Sequence, residues 1–232
     1  MSNRSPTLPA RTRGLYLIIS ALLLILLYLG GNAVLKDDKR EEIPLSEERI
    51  LELRKTYPVY NDYGPLTDMM HPSFQKIVSL STSYVVGEII DQVEDASTSF
   101  MAEPGTPEYR VQQKSSKDGI VEPTIQHYKQ YEIKVLRYLA GERTKDSIIV
   151  RLNAADVGYY PNLTPGLQLI LPLGKGKGKH EGVFFTSKAG MFYIVDQKYV
   201  LSVMDILPSY QDYQGQPINV VIQEINRIKK GT

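Results

Sequence analysis

"YVVGEIIDQV", Tyr84 to Val93, is the stretch on which the reading of the fold turns. As an extended chain it places Val85, Ile89 and Val93 on one face. Gly87 falls between the first two, and a glycine inside a strand marks a bend or a close approach of backbones. "SFQKIVSL", Ser73 to Leu80, runs into this strand as a short helix.

Downstream the two-residue period recurs. In "QYEIKVLRYLAG", Tyr131, Ile133 and Val135 alternate with Glu132 and Lys134. Leu136 and Tyr138 then switch face, which predicts a bulge near Val135. "SIIVRL" turns Ile148, Val150 and Leu152 inward, and "LTPGLQLILPL" enters through a Pro165-Gly166 turn with Leu167, Leu169, Leu171 and Leu173 on one face. "GVFFT" and "GMFYIVDQKYVLSV" supply one or two more strands, the latter a hairpin about Asp196-Gln197. "PINVVIQEINRIKKG" closes the chain as an amphipathic helix over 217–230. Its stripe is Ile218, Val221, Ile222, Ile225 and Ile228, and Gly231 stands at the C-cap. An insertion over 95–123, with Pro104, Gly105, Pro107, Gly119 and Pro123, interrupts the series after its first strand. Such a segment is either mobile or a protruding hairpin, and long loops often carry function.

Five or six short strands with flanking helices define a β-rich α+β domain, and a small barrel fits them better than a sandwich. The series "VVGEII", "YEIKVLRYLAG", "LTPGLQLILPL", "GVF" resembles the OB-like barrel of exported or membrane-anchored proteins of Gram-positive bacteria. Its layout is similar to netrin-like domains and the tissue inhibitors of metalloproteinases. The resemblance covers about Ser73 to Ile228 and implies fold far more than activity. The eukaryotic relatives depend on disulfides and an N-terminal Cys. This chain has no cysteine, so protease inhibition does not carry over.

The absence of cysteine also excludes thiolate metal sites and Cys nucleophiles. Residues 1–13 form a short N-terminal segment with Arg4, Arg11 and Arg13. "GLYLIISALLLILLYLGGNAVL", Gly14 to Leu35, then carries no charge. Its 22 residues span about 33 Å as a helix, enough for a hydrocarbon core of ~30 Å. Tyr16 and Tyr28 sit near its ends, where headgroups favour them. The competing reading is a cleaved signal peptide, with Gly31-Asn32-Ala33 as a small-x-small site. The short leader favours a cytoplasmic N-terminus and an exported domain: a single-pass signal-anchor protein. Residues 36–72 form a charged stalk, a short helix capped by Ser46, and a Tyr-rich connector with Tyr57, Tyr60 and Tyr63. The barrel domain then takes 73–232.

Chemistry-bearing motifs are sparse. "LPLGKGKGKHEGVFFT", Leu171 to Thr186, looks like a phosphate loop, but Leu stands five residues before each Gly-Lys and no Ser or Thr follows. It reads as a cationic hairpin tip. Lys175, Lys177 and Lys179 are candidate contacts for an anionic polymer or lipid headgroups. Tyr128, Lys134 and Arg137 on the second strand are candidates because barrels of this kind bind ligands there. Tyr131 belongs to the core face. His71, His127 and His180 lack metal spacing, no catalytic signature occurs, and no cofactor is implied. Glu88 is the one acid within an apolar strand, and it reads as outward and solvated. From residue 36 onward there are 24 basic and 26 acidic residues, a net of −2 that argues against nucleic acid.

The expected protein is a membrane-anchored, extracytoplasmic binding or scaffold module. Its partners are the bilayer and an envelope protein or anionic cell-wall polymer. The rivals are an envelope hydrolase with a site between barrel and insertion, and an assembly factor acting through its membrane helix. Carbonate washing of membranes checks the anchor: the chain should stay in the pellet. A mature soluble protein beginning at Val34 would instead mark residues 14–33 as a cleaved signal.

Overall fold

The computed structural model describes residues 43–62, 72–116, 121–143 and 145–231. Among these no helix is long and apolar enough to cross a membrane. The expected span, 14–35, lies outside them.

Residues from Ile43 onward form one compact unit, β-rich with helices. In chain order come α1 (Glu47–Leu53), α2 (Phe74–Leu80), β1 (Ser83–Phe100), α3 (Pro107–Ser115) and β2 (Thr124–Gly141). After them come β3 (Ser147–Asn153), β4 (Gln168–Lys175), β5 (Phe184–Thr186), β6 (Phe192–Val195) and β7 (Tyr199–Ser202). Two last helices, α4 (Pro208–Gln211) and α5 (Ile218–Lys230), close the chain. Ser46 and Ser73 cap α1 and α2 as their positions predict, each accepting from a backbone N–H three residues on.

The sheet runs β1-β2-β3-β5-β4-β6-β7, and β4 also pairs with β1. Five strands therefore pair in a ring. The pairing β3–β5 is parallel and the other four are antiparallel. Gly87 is what lets β1 serve two neighbours. A Cβ there would lie 2.6 Å from Ile133 Cγ2 and 3.1 Å from Leu171 Cδ1. The predicted bulge is real: Val86 faces Arg137 and Gly87 faces Val135, so Leu136 is skipped. The predicted hairpin joins β6 to β7 with Asp196 and Gln197 at φ 49° and 57°.

Burial has two layers. Val85, Ile89, Tyr131, Ile133, Val150, Leu169, Leu171 and Tyr193 fill one cluster inside the ring. Tyr84, Val86, Ile170 and Phe192, the alternate residues of the same strands, join a second cluster. There they meet Phe74, Tyr210, Val221 and Ile225 of the helices. β1 and β4 are thus apolar on both faces, which is why their sequences read as runs. Neither β3 nor β5 contributes to the second cluster, and β2 contributes only Leu139 and Ala140. Among the described residues no α-helix covers their outer face. Lys229 on α5 ties the helices together by donating to the carbonyls of Ser79, at 3.4 Å, and Ser81 at the end of α2.

The connector is also packed. Leu45 N–H donates to Gly215 O at 2.9 Å, and Tyr60 N–H to Val203 O at 2.8 Å. The Tyr193 hydroxyl donates to Pro58 O at 3.0 Å, and Asn61 Nδ2 to Asp205 Oδ1 at 2.7 Å. Tyr57 and Tyr60 lie against the inner cluster, so the packed unit starts well before Ser73. Tyr63 lies outside the described residues.

The described residues of the stretch 95–123, namely 95–116 and 121–123, extend the β1–β2 pair as a protruding hairpin. Its first six residues continue β1, which pairs with β2 as far as Phe100–Thr124. α3 sits near its end, held by Gln112. That side chain accepts from Ala102 N–H at 3.0 Å and donates to Phe100 O at 3.0 Å.

Ile225 is fully buried in the helical layer. Replacing it by Asp removes apolar burial of about 1.5–3 kcal/mol and strands a charge, so Ile225→Asp should unfold or loosen the domain. Val220→Asp, at a position 41% exposed, should melt like the parent in the same circular-dichroism experiment.

Candidate functional site

The sheet face that no helix covers lies over β3, β5 and the first half of β2. Register sets what stands on it. Tyr128 faces Asn153, Gln130 faces Arg151, Glu132 faces Ile149 and Lys134 faces Ser147. Arg151 also faces Phe185 on β5. One row across three strands therefore reads Gln130, Arg151, Phe185.

Arg151 organises this row. Its Nε donates to Gln130 Oε1 at 2.7 Å and its Nη1 lies 3.1 Å from His180 Nδ1. A guanidinium can only donate, so His180 Nδ1 accepts and the ring carries its proton on Nε2. The guanidinium carbon lies 6.0 Å from the centroid of Tyr128. The rings of Tyr128, His180 and Phe185 meet edge to face, with centroids 5.1–6.0 Å apart. Tyr128 is thereby covered, at 8% exposure.

His180 comes from the lysine loop, and this explains the Gly-Lys repeat. The loop makes a 3-10 turn over Gly178–His180. A Cβ on Gly176 would stand 2.0 Å from His180 O, and Gly178 has φ 57°. Glycine is needed for the tight fold of the loop. The lysines between are exposed. Lys179 Nζ donates to Ser99 O at 2.8 Å on the protruding hairpin, and Lys175 Nζ lies 3.5 Å from Glu142.

Beside this cluster a cleft of about 350 Å³ opens between the lysine loop and the β2–β3 turn. Arg143, Lys145 and Lys175 line it, with Ile149, Val183 and Phe184 as an apolar wall and no acid in the lining. Lys134 faces Ser147, which also lines the cleft. Of the residues that sequence nominated, Lys175 lines the cleft, and Lys134 stands on the neighbouring strand opposite Ser147. Lys179 is tethered to the hairpin, Lys177 points to solvent, Tyr128 lies under His180, and Arg137 sits opposite Val86. Sequence reading did not nominate Arg143, Lys145, Arg151 or Phe185. The charged turn "GERTKD" between two strands is the signal from which the first two could have been found.

His127 is taken by Ser97 Oγ at 2.8 Å, its cross-strand partner, and Glu88 accepts from Gln168 Nε2 at 3.1 Å. His71 lies outside the described residues. Among those residues no three His, Cys, Asp or Glu side chains are grouped to hold a metal. One cation is deeply buried. Lys188, 2% exposed, donates to the carbonyls of Asp62 and, at 3.1 Å, Tyr159. Burial pulls its pKa down, against the pull of Asp62 and Asp156. Asp156 is shifted up by burial, opposed by Lys188, and its Oδ1 is buried with no hydrogen-bond partner among the described residues. Lys188 thereby joins the connector at Asp62 to the turn after β3 at Tyr159. Its ammonium is directed at main-chain oxygens.

The chain matches no family model, and a search of curated proteins returns no match.

Asp156 gives a pH test. Its folded pKa is raised, so the ionised carboxylate costs stability at neutral pH, and the cost fades as acid protonates it. Asp156→Asn should melt above the parent at pH 7, with the gap closing as the pH falls toward 4. A gap that widens in acid would show the carboxylate to be stabilising.

Proposed function

We propose that this chain is a single-pass membrane protein with a cytoplasmic N-terminus. Its ring of five paired strands is an OB-like, netrin-like barrel displayed outside the cell, and its role is to bind an anionic polymer of the envelope. The observation that carries the reading is the cleft in which Arg143, Lys145 and Lys175 converge beside an apolar wall. Three cations on a half-shielded surface favour a polyanion over a lone charge. Each contact is weak in water, about 1 kcal/mol at 4 Å, and they add along a repeating chain of phosphates. The apolar wall suits the carbon backbone between phosphates. The ring of pairings and the uncovered β2–β3–β5 face support the barrel, and the apolar run 14–35 supports the anchor.

Retention on immobilised poly(glycerol phosphate) tests this with the full chain in nanodiscs. The parent should bind, and binding should weaken steeply with salt. Joint replacement of Arg143, Lys145 and Lys175 by Ser should weaken it at least tenfold with little change in melting temperature, because exposed charges contribute little to folding. Lys177→Ser should bind nearly as the parent does. Equal binding by the triple variant would remove the cleft as the site.

A further inference from the structure

The hairpin that leaves the ring carries an exposed feature of a different kind. β4 pairs with β1 only from Ser83 to Glu88, and Ile89 makes two more bonds to Gly166 and Leu167. β2 follows β1 on its other side to Phe100. From Ile90 to Phe100, therefore, β1 has one paired edge. Among the described residues no backbone hydrogen bond is made from its other edge. This is eleven residues, about 36 Å at ~3.3 Å each. Side chains reach four of its main-chain groups: Asp91 Oδ1 accepts from Gln92 N–H at 2.8 Å, Gln130 Nε2 donates to Glu94 O at 2.6 Å, Lys179 Nζ to Ser99 O at 2.8 Å and Gln112 Nε2 to Phe100 O at 3.0 Å. Ile90 and Phe100 mark its two ends and are 39% and 52% exposed.

We infer that this open edge of β1 takes up an extended, basic segment of another protein as an added strand. An unpaired edge offers main-chain hydrogen bonds to any extended chain, so side chains decide the occupant. Between Ile90 and Phe100 the strand itself carries Asp91, Glu94 and Asp95 and no base, and Lys179 reaches its far end at Ser99 O. Asp95 is neutralised by Lys129 at 2.6 Å. Asp91 and Glu94 make no ion pair among the described residues. A second copy laid antiparallel would set these acids against the same acids, and like charges across a strand pair repel. A segment with Lys or Arg at alternate positions meets the same acids favourably. Edge and charge thus reject a second copy and select a basic strand.

The test uses the full chain in nanodiscs and a labelled acetyl-(Lys-Thr)5-amide peptide, with acetyl-(Glu-Thr)5-amide and a fully N-methylated Lys-Thr peptide as controls. The Lys-Thr peptide should bind at least tenfold more tightly than either control. Hydrogen exchange should slow at amides within 91–99. Asp91→Lys with Glu94→Lys should weaken binding at least tenfold while melting like the parent and leaving retention on poly(glycerol phosphate) unchanged. Binding of the N-methylated peptide as tight as its parent's would reduce the contact to charge alone and overturn the added strand. No binding, or dimerisation of the chain lost in the double variant, would overturn it as well.

Discussion

The contact on which the rest of the structure depends is the approach of β1 to both β2 and β4 at Gly87. A side chain there would collide with Ile133 and Leu171. Without one, the same strand closes the ring and still leaves room for the inner cluster. Much follows from that closure. β1 and β4 become buried on both faces, because the ring fills one side and the helices cover the other. β2 outruns β4 along β1, so the surplus of both strands leaves the ring as a paired arm. The helices are committed to the closed side, and the opposite face over β3 and β5 stays open to a ligand.

Elements whose residues answer to their own neighbours were legible in the sequence. Ser46 and Ser73 cap helices because a hydroxyl reaches a nearby N–H. The inward residues of β3 alternate because one side is wet. The stripe of α5 is written at helical spacing. What escaped depended on distant partners. β5 is three residues long, too short to show a period, and its parallel pairing with β3 rests on two residue pairs. The arm over 94–100 and 124–127 has water on both faces, so it lacks the apolar alternation that marks a strand. Tyr57 and Tyr60 read as connector because their packing partners lie over a hundred residues away. At the candidate site the limit was the same. Arg151 and His180 are 29 residues apart, and only the curl of the lysine loop brings them together. The Gly-Lys repeat was legible as a loop. That its glycines serve main-chain crowding, and its lysines different neighbours, was not.

Charge is sorted by element despite a near-neutral total. Cations gather in the lysine loop and acids on the outer strand of the arm, while the β2–β3 turn balances Arg143 and Lys145 against Glu142 and Asp146. Lys179 joins the two regions through Ser99 O. The cleft is an open groove, and the buried ammonium of Lys188 faces carbonyls.

The stitched segment from Leu45 to Asp62 has a mechanical side. Any pull applied to the chain at residue 43 reaches first the bond from Leu45 to Gly215 and the seat of Ile50 over that glycine. The load then passes to the contacts of Pro58, Tyr60, Asn61 and Asp62. These bonds lie in series along the chain, at loops that flank β6 and β7. Because Leu53 belongs to the inner cluster and Ile50, Tyr57 and Tyr60 pack on it, drawing this segment off would open one side of the ring's own core.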